Sequence, residues 1–226
     1  MMLKKLILLF ILNISVLICQ TDENILHQYY LKYGMLTIGR AELSFQDSSG
    51  TLLSHLFMYS TGMLDKIWSV SDTIKSEYLL DSKQLIFHSK AVNEGKYHKR
   101  FQLRHTENAA KVLSSKSYAD LSSYYDLLSF LHSMRHQNIQ TGDTLSSNFV
   151  DGANKASAHF IVSESKVLKT ARGKQNALKF TPYFESDKAR KNDINVSMWF
   201  SESMPHLPLQ LDIGSKYGDF VLILRH

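Results

Sequence analysis

Apolar and polar residues alternate with a period of two in one stretch of the chain after another. In "GRAELSF", Ala41, Leu43 and Phe45 alternate with Arg40, Glu42 and Ser44, which puts apolar groups on one face of a strand and polar groups on the other. "KRFQLRH" repeats the device with Phe101 and Leu103. "INVSMWF" sets Val196, Met198 and Phe200 on one face, and "LPLQLDIG" does the same with Leu207, Leu209, Leu211 and Ile213. "DFVLILR", near the end, is apolar on both faces and predicts a strand covered on both sides. Turn signals such as "QDSSG", "LDSK", "NEG", "DGAN", "ARGKQN" and "SKYGD" separate these runs. Their short spacing favours antiparallel hairpins over crossover connections. The pattern predicts a mainly β fold of ten or more antiparallel strands, curved into an open or closed barrel or a two-sheet sandwich.

One segment breaks the rhythm. In "SYYDLLSFLHSMRHQ", Tyr124, Leu127, Leu128, Leu131 and Met134 fall on one stripe of a helical wheel and Asp126, Ser129, Ser133 and Gln137 on the other. This predicts an amphipathic helix over Ser123 to Gln137, capped by Ser123 with Asp126 three residues on, and packed against an opening or face of the sheet. Arg135 projects beside the apolar stripe at the carboxyl end. Its guanidinium either meets helix carbonyls or a carboxylate such as Asp65 or Asp72, or points at an anionic ligand beneath the helix.

Composition changes the picture mainly at the amino terminus. With 226 residues, 44% of them hydrophobic, the chain can bury a substantial core, and no linker-like stretch divides residues 20–226 into two domains. Residues 1–19 follow the grammar of a secretory signal peptide: Lys4 and Lys5, an apolar run from Leu6 to Ile18, then the abruptly polar "CQTDEN". The run is too short to span a bilayer, which takes about 20 residues. Cys19 is the only cysteine; Ile18, Leu17 and Val16 before it argue against lipid attachment, and cleavage after it leaves a mature chain free of thiols and disulfides. Without Lys4 and Lys5, 24 basic residues face 21 acidic ones, a formal net charge of +3. The densest basic run, Glu185 to Asp193, alternates in sign and reads as a solvated loop, so nucleic acid is not an expected partner.

Several stretches, taken in order, resemble the bacterial envelope proteins grouped as domain of unknown function 3108. They are "YYLKYGMLTIGRAELSF", "YSTGMLDKIWSVSDTIKSEY", "YYDLLSFLHSMR" with "TGD" after it, and "DINVSMWFSESMPHLPLQLDI". The resemblance implies an exported, mostly antiparallel β protein of the periplasm or cell envelope and carries no catalytic residues. The Met204 to Pro208 turn departs from the family pattern as an elaboration.

Candidate chemistry is sparse. His132 and His136 stand four apart on the helix, a spacing that suits a metal, but on a polar flank and without a third ligand. His88, His98, His105, His159 and His206 fall in separate strand or turn contexts and read as surface residues. No G-x-S-x-G elbow occurs, and Gly34 to Gly39 lack the lysine and hydroxyl of a phosphate loop. No cofactor, metal or catalytic residue is therefore expected. Aromatic residues are spread over many strands, so a curved sheet gathers them on its concave side, as a filled core or as the wall of an apolar cavity. The residues expected to line such a cavity or anchor the helix are Trp68, Tyr78, Phe101, Leu128, Leu131, Arg135 and Trp199. The expected function is a noncatalytic envelope protein that binds or carries a lipid or other hydrophobic ligand. An accessory that binds another envelope protein is the alternative, and an unrecognised hydrolase the second.

Overall fold

The computed structural model describes residues 24–106, 109–112, 117–118, 123–151, 154–185, 195–215 and 218–225. The export-signal pattern with Cys19 and the alternating charges of residues 186–193 lie outside the described residues.

Among the described residues, fifteen strands form one curved sheet. The first half comprises β1 (Asn24–Tyr33), β2 (Leu36–Ser48), β3 (Thr51–Ser60), β4 (Ser71–Leu79), β5 (Gln84–Glu94), β6 (Tyr97–Thr106), β7 (Ala109–Val112) and β8 (Ser117–Tyr118). The second comprises β9 (Tyr124–Tyr125), β10 (Thr144–Asp151), β11 (Asn154–Thr170), β12 (Gly173–Glu185), β13 (Asn195–Ser201), β14 (Pro208–Ser215) and β15 (Gly218–Leu224). A short helix, α1 (Met63–Ile67), links β3 to β4, and α2 (Leu127–Met134) links β9 to β10. Each half is a meander, and the halves meet where β1 pairs with β15, Tyr29 opposite Leu224. All pairings are antiparallel except the two-residue parallel contact of β9 with β10. The sheet does not close: β8 and β9 are its edges.

Local sequence explains the hairpins. Between β2 and β3 only Ser49 and Gly50 remain, both at positive φ (53° and 80°), as a tight turn between right-twisted strands requires; Asp47 Oδ1 accepts the Gly50 N–H at 3.1 Å. The period of two then decides the faces. Ala41, Leu43 and Phe45 of β2 are buried, as their alternation predicts.

Three expectations are corrected. The helix spans only Leu127–Met134, and its cap is Asp126, whose carboxylate accepts the Ser129 N–H while the Ser129 hydroxyl meets the Asp126 N–H. The chain before it is held extended because Tyr124 and Tyr125 pair with Asn148 and Phe149. Second, β15 is half-buried from Phe220 to Ile223 instead of covered on both faces, since a single-layer sheet leaves its convex side without a second layer. Third, His88 and His206 are buried, not surface residues.

Candidate functional site

Alternating connections sort into two ends of the wall. At one end lie the carboxyl ends of β1, β3, β5, β10, β12 and β14; at the other lie those of β2, β4, β11 and β13. Between the ends the wall encloses a cavity of about 510 Å³, lined from β1 to β5, from β10 to β15 and by α2. That size falls within the ~300–1,000 Å³ typical of small-molecule sites. Its surface is almost wholly apolar: Leu43, Leu56 and Ile74 on one side, Phe149, Phe160 and Met198 on the other, with polar groups only at Tyr29, His88, Lys90, Asp151 and Gln210.

The helix closes the gap between the two ends of the sheet. On one side Asp126, fully buried, accepts from the Ser76 hydroxyl of β4 at 2.9 Å and lies 3.2 Å from His88 Nδ1 of β5. On the other side Phe130 stacks on Phe160 of β11 at 4.2 Å between centroids and meets Phe149 of β10 edge-on at 4.9 Å. Leu128 joins a core cluster that includes Leu43, Tyr78 and Leu85 of the first half and Val150 of the second, and Phe130 and Met134 join one drawn from the second half. Just outside the helix, Lys90 Nζ reaches Asp151 Oδ1 at 3.1 Å, joining β5 to β10. Leu127 and Phe184 both line the cavity and stand partly exposed, so the mouth lies at this end, between the start of α2 and the end of β12.

The opposite end is shut by the last turn of α2. Arg135 is 2% exposed, its guanidinium 5.9 Å from the Phe45 ring centre, and its carbonyl accepts the His206 N–H at 2.9 Å. His206 Nε2 sits 2.9 Å from the Gln137 carbonyl, tying the β13–β14 connection to the helix. The carboxylates expected to face Arg135 are engaged elsewhere: Asp65 accepts from Ser60 and Ser69, and Asp72 from the Asn93 N–H.

This floor is electropositive. Burial, then the positive charges of Arg135 and Arg172, lower the His27 pKa to about 4. Burial, then Arg135 and His136, lower that of His132 to about 4, with Asp47 opposing. Burial also pushes the Tyr29 and Tyr78 hydroxyls upward. For Asp126, burial raises the pKa, but the hydrogen bonds from His88 and Ser129 and the His88 charge outweigh it and hold the carboxyl below its ordinary value.

These directions give the protein an acid-labile floor. Both histidines bind protons more weakly folded than unfolded, so their contribution is complete above about pH 6.5 and is lost as pH falls towards 4. Discounted for solvent screening, His27 alone contributes on the order of 2 kcal/mol. Thermal unfolding followed from pH 7.5 to 4.5 is expected to show the melting temperature falling by roughly 4–8 °C from this residue, and His27→Leu to flatten that part of the curve. A pH-independent midpoint over the same range contradicts the assignment.

Of the seven residues singled out from sequence, Leu131 lines the cavity. Leu128 within the helix, Arg135 at its C-cap and Tyr78, which stacks on Tyr125 at 5.3 Å, anchor the helix without reaching the cavity wall. Phe101, paired with Lys90 across the β5–β6 ladder, shares the face of His88 and Lys90 without reaching the cavity, its ring 6.1 Å from that of His88. Trp199 is on the opposite face of β13 from Met198 and Phe200; Lys166 Nζ covers it at 3.9 Å, and its indole N–H donates to Asp212 at 2.9 Å. Trp68 is exposed at the rim beside α1. Sequence reasoning missed His88, Lys90, Asp126 and Asp151. Their partners are distant in the chain, and no local pattern marks them.

His88 and Asp126 form an imidazole–carboxylate pair of the kind that orients a general base. Among the described residues His88 Nε2 has no hydrogen-bond partner, so no hydroxyl or thiol is poised against it. His132 and His136 stand 5.8 Å apart, ring to ring, and among the described residues no group of three or more His, Cys, Asp or Glu is arranged to hold a metal. No helix among the described residues is long and apolar enough to cross a membrane.

Comparison with known proteins agrees with this architecture. The family described as "Protein of unknown function (DUF3108)" matches residues 28–225. A crystal structure of a beta-barrel-like protein of domain of unknown function DUF1849 from Brucella abortus superposes with a TM-score of 0.59 at 10% identity, over 89% of this chain and 95% of that one. No curated protein matches the chain.

Proposed function

The chain belongs to the DUF3108 family, and from that premise we propose that it is an exported, noncatalytic envelope protein that binds or carries a hydrophobic chain, such as the acyl chain of a lipid. One observation carries this reading: a cavity of about 510 Å³ whose wall is apolar almost throughout and open at one end. Apolar wall left facing an open cavity forgoes roughly 25 cal/mol for every Å² that a filled core would have buried, so a core that needed only to be stable would have filled it. An acyl chain restores the missing contacts. The leader pattern of residues 1–19 supports export, and an interior whose polar groups are confined to Tyr29, His88, Lys90, Asp151 and Gln210 suits hydrocarbon.

Organic extraction of the purified mature chain followed by mass spectrometry is expected to release a bound lipid or fatty acid. A fluorescent fatty acid is expected to bind saturably to the extracted protein. Ala156, a small side chain on the wall, is the position to fill: Ala156→Trp is expected to weaken binding at least about tenfold by occupying the volume the chain needs. An empty extract together with no saturable binding removes the proposal.

A further inference from the structure

Large apolar side chains left exposed are not spread evenly over the molecule. Seven of the fifteen among the described residues lie in or directly flank three connections at the cavity's open end. Met35 lies in the β1–β2 turn between Tyr33, which ends β1, and Leu36, which opens β2; Met63, Ile67 and Trp68 lie in the α1 connection, and Tyr97 opens β6 after the β5–β6 turn. Met35 is 98% exposed, Met63 79% and Ile67 77%. A monomer that needed only to be soluble has no reason to gather such groups at one rim.

The three connections are fastened together. The Thr61 N–H donates to the Ile38 carbonyl at 2.9 Å, setting α1 against the first turn. The Gly95 N–H donates to the Ser69 carbonyl at 2.8 Å, and Trp68 lies across Gly95 so closely that a Cβ there would meet its ring at 3.2 Å. The apolar tip is thus a fixed surface, with an indole and a phenol at its edge, the two side chains that favour a membrane–water interface.

Charge indicates which surface it meets. Lys32, Lys66, Lys96 and Lys99 stand around the tip. Against these four stand three acids: Asp65, which the Ser60 and Ser69 hydroxyls hold in its ionised form, Asp72, and Glu94, whose carboxyl burial and the neighbouring Asp72 push towards its neutral form, so the lysines prevail.

We propose that this rim is a membrane-docking surface, in which Met35, Met63, Ile67 and Trp68 enter the headgroup region of a bilayer while the surrounding lysines meet anionic phospholipid. The docked orientation turns the cavity mouth to the bilayer. This goes beyond ligand binding and stands without it, because the tip residues do not line the cavity.

Vesicle cosedimentation tests it, with the mature chain and vesicles of phosphatidylethanolamine and phosphatidylglycerol compared with pure phosphatidylcholine. Binding is expected to be stronger on the anionic vesicles and to weaken as salt is raised. The chain has two tryptophans and Trp199 is buried, so a blue shift of emission on adding vesicles reports Trp68. The triple variant Met35→Ser, Met63→Ser, Ile67→Ser removes exposed groups only and is expected to lower vesicle binding about tenfold or more. Its fatty-acid binding is expected to stay unchanged, which separates failure of this surface from failure of the cavity. Vesicle binding unchanged in the triple variant, emission unmoved by vesicles, or stable capture of the tip by a protein in place of lipid each overturns the proposal.

Discussion

Asp126→Ala is expected to destabilise the fold by about 3–5 kcal/mol, a large part of the stability of a domain this size. The carboxylate is fully buried and gathers donors from three elements: the Ser76 hydroxyl, His88 Nδ1, and both the N–H and the hydroxyl of Ser129. Alanine abolishes the helix cap and strands those donors where no water replaces the lost acceptor. It also releases the start of α2 from β4 and β5. Urea unfolding monitored by tryptophan emission and by circular dichroism measures the loss. Asp126→Asn keeps the shape and some of the hydrogen bonds and is expected to fall between. If alanine costs less than about 1 kcal/mol, the helix is not fastened as described.

The second large effect is on the other side of the same helix. Phe130→Ala is expected to cost about 3–5 kcal/mol. Phe130 is 2% exposed and makes the closest ring contact in the protein's described part, 4.2 Å from Phe160. Truncation removes the stacking and leaves a hole bounded by Phe149 and Phe160, which already line the ligand-sized cavity. The hole therefore adds to an existing space and cannot be closed by a small local shift. Bound fatty acid is expected to recover part of the lost melting temperature, because a ligand stabilises the state it binds. A midpoint within about 1 kcal/mol of the parent places Phe130 outside the anchoring core.

These two residues show what was legible in the sequence. The alternation of Ala41, Leu43 and Phe45, the spacing of turn signals and the lone amphipathic stripe reveal a curved β wall with one covering helix, because such patterns are local. Asp126 was placed among the helix's polar residues, and its burial cannot be read from the wheel: Ser76 and His88 reach it from strands 50 and 38 residues away. Trp199 misled for a related reason. Alternation correctly separates it from Met198 and Phe200, but an aromatic side chain suggests the concave side, whereas Lys166 of β11 and Lys179 of β12 cover it on the convex one. Trp68 reads as pocket material by residue type alone and is a rim residue. Whether aromatics fill an interior or surround a hollow depends on how many strands make the wall, which no single segment records.

The strand order also governs how the molecule comes to be assembled. Every ladder among the described residues except one joins strands next to each other along the chain, so both meanders can form from short-range hairpins within microseconds to milliseconds. The remaining ladder, β1 with β15, must bring together strands far apart along the chain, Tyr29 opposite Leu224, and waits until β15 has been made. Entropy charges little extra for so long a loop, because the penalty grows only as the logarithm of its length. Time is the scarcer quantity: until that last zipper engages, two unpaired ribbon edges stand open to neighbouring chains, and a chaperone acting before then would protect the molecule at its most aggregation-prone stage.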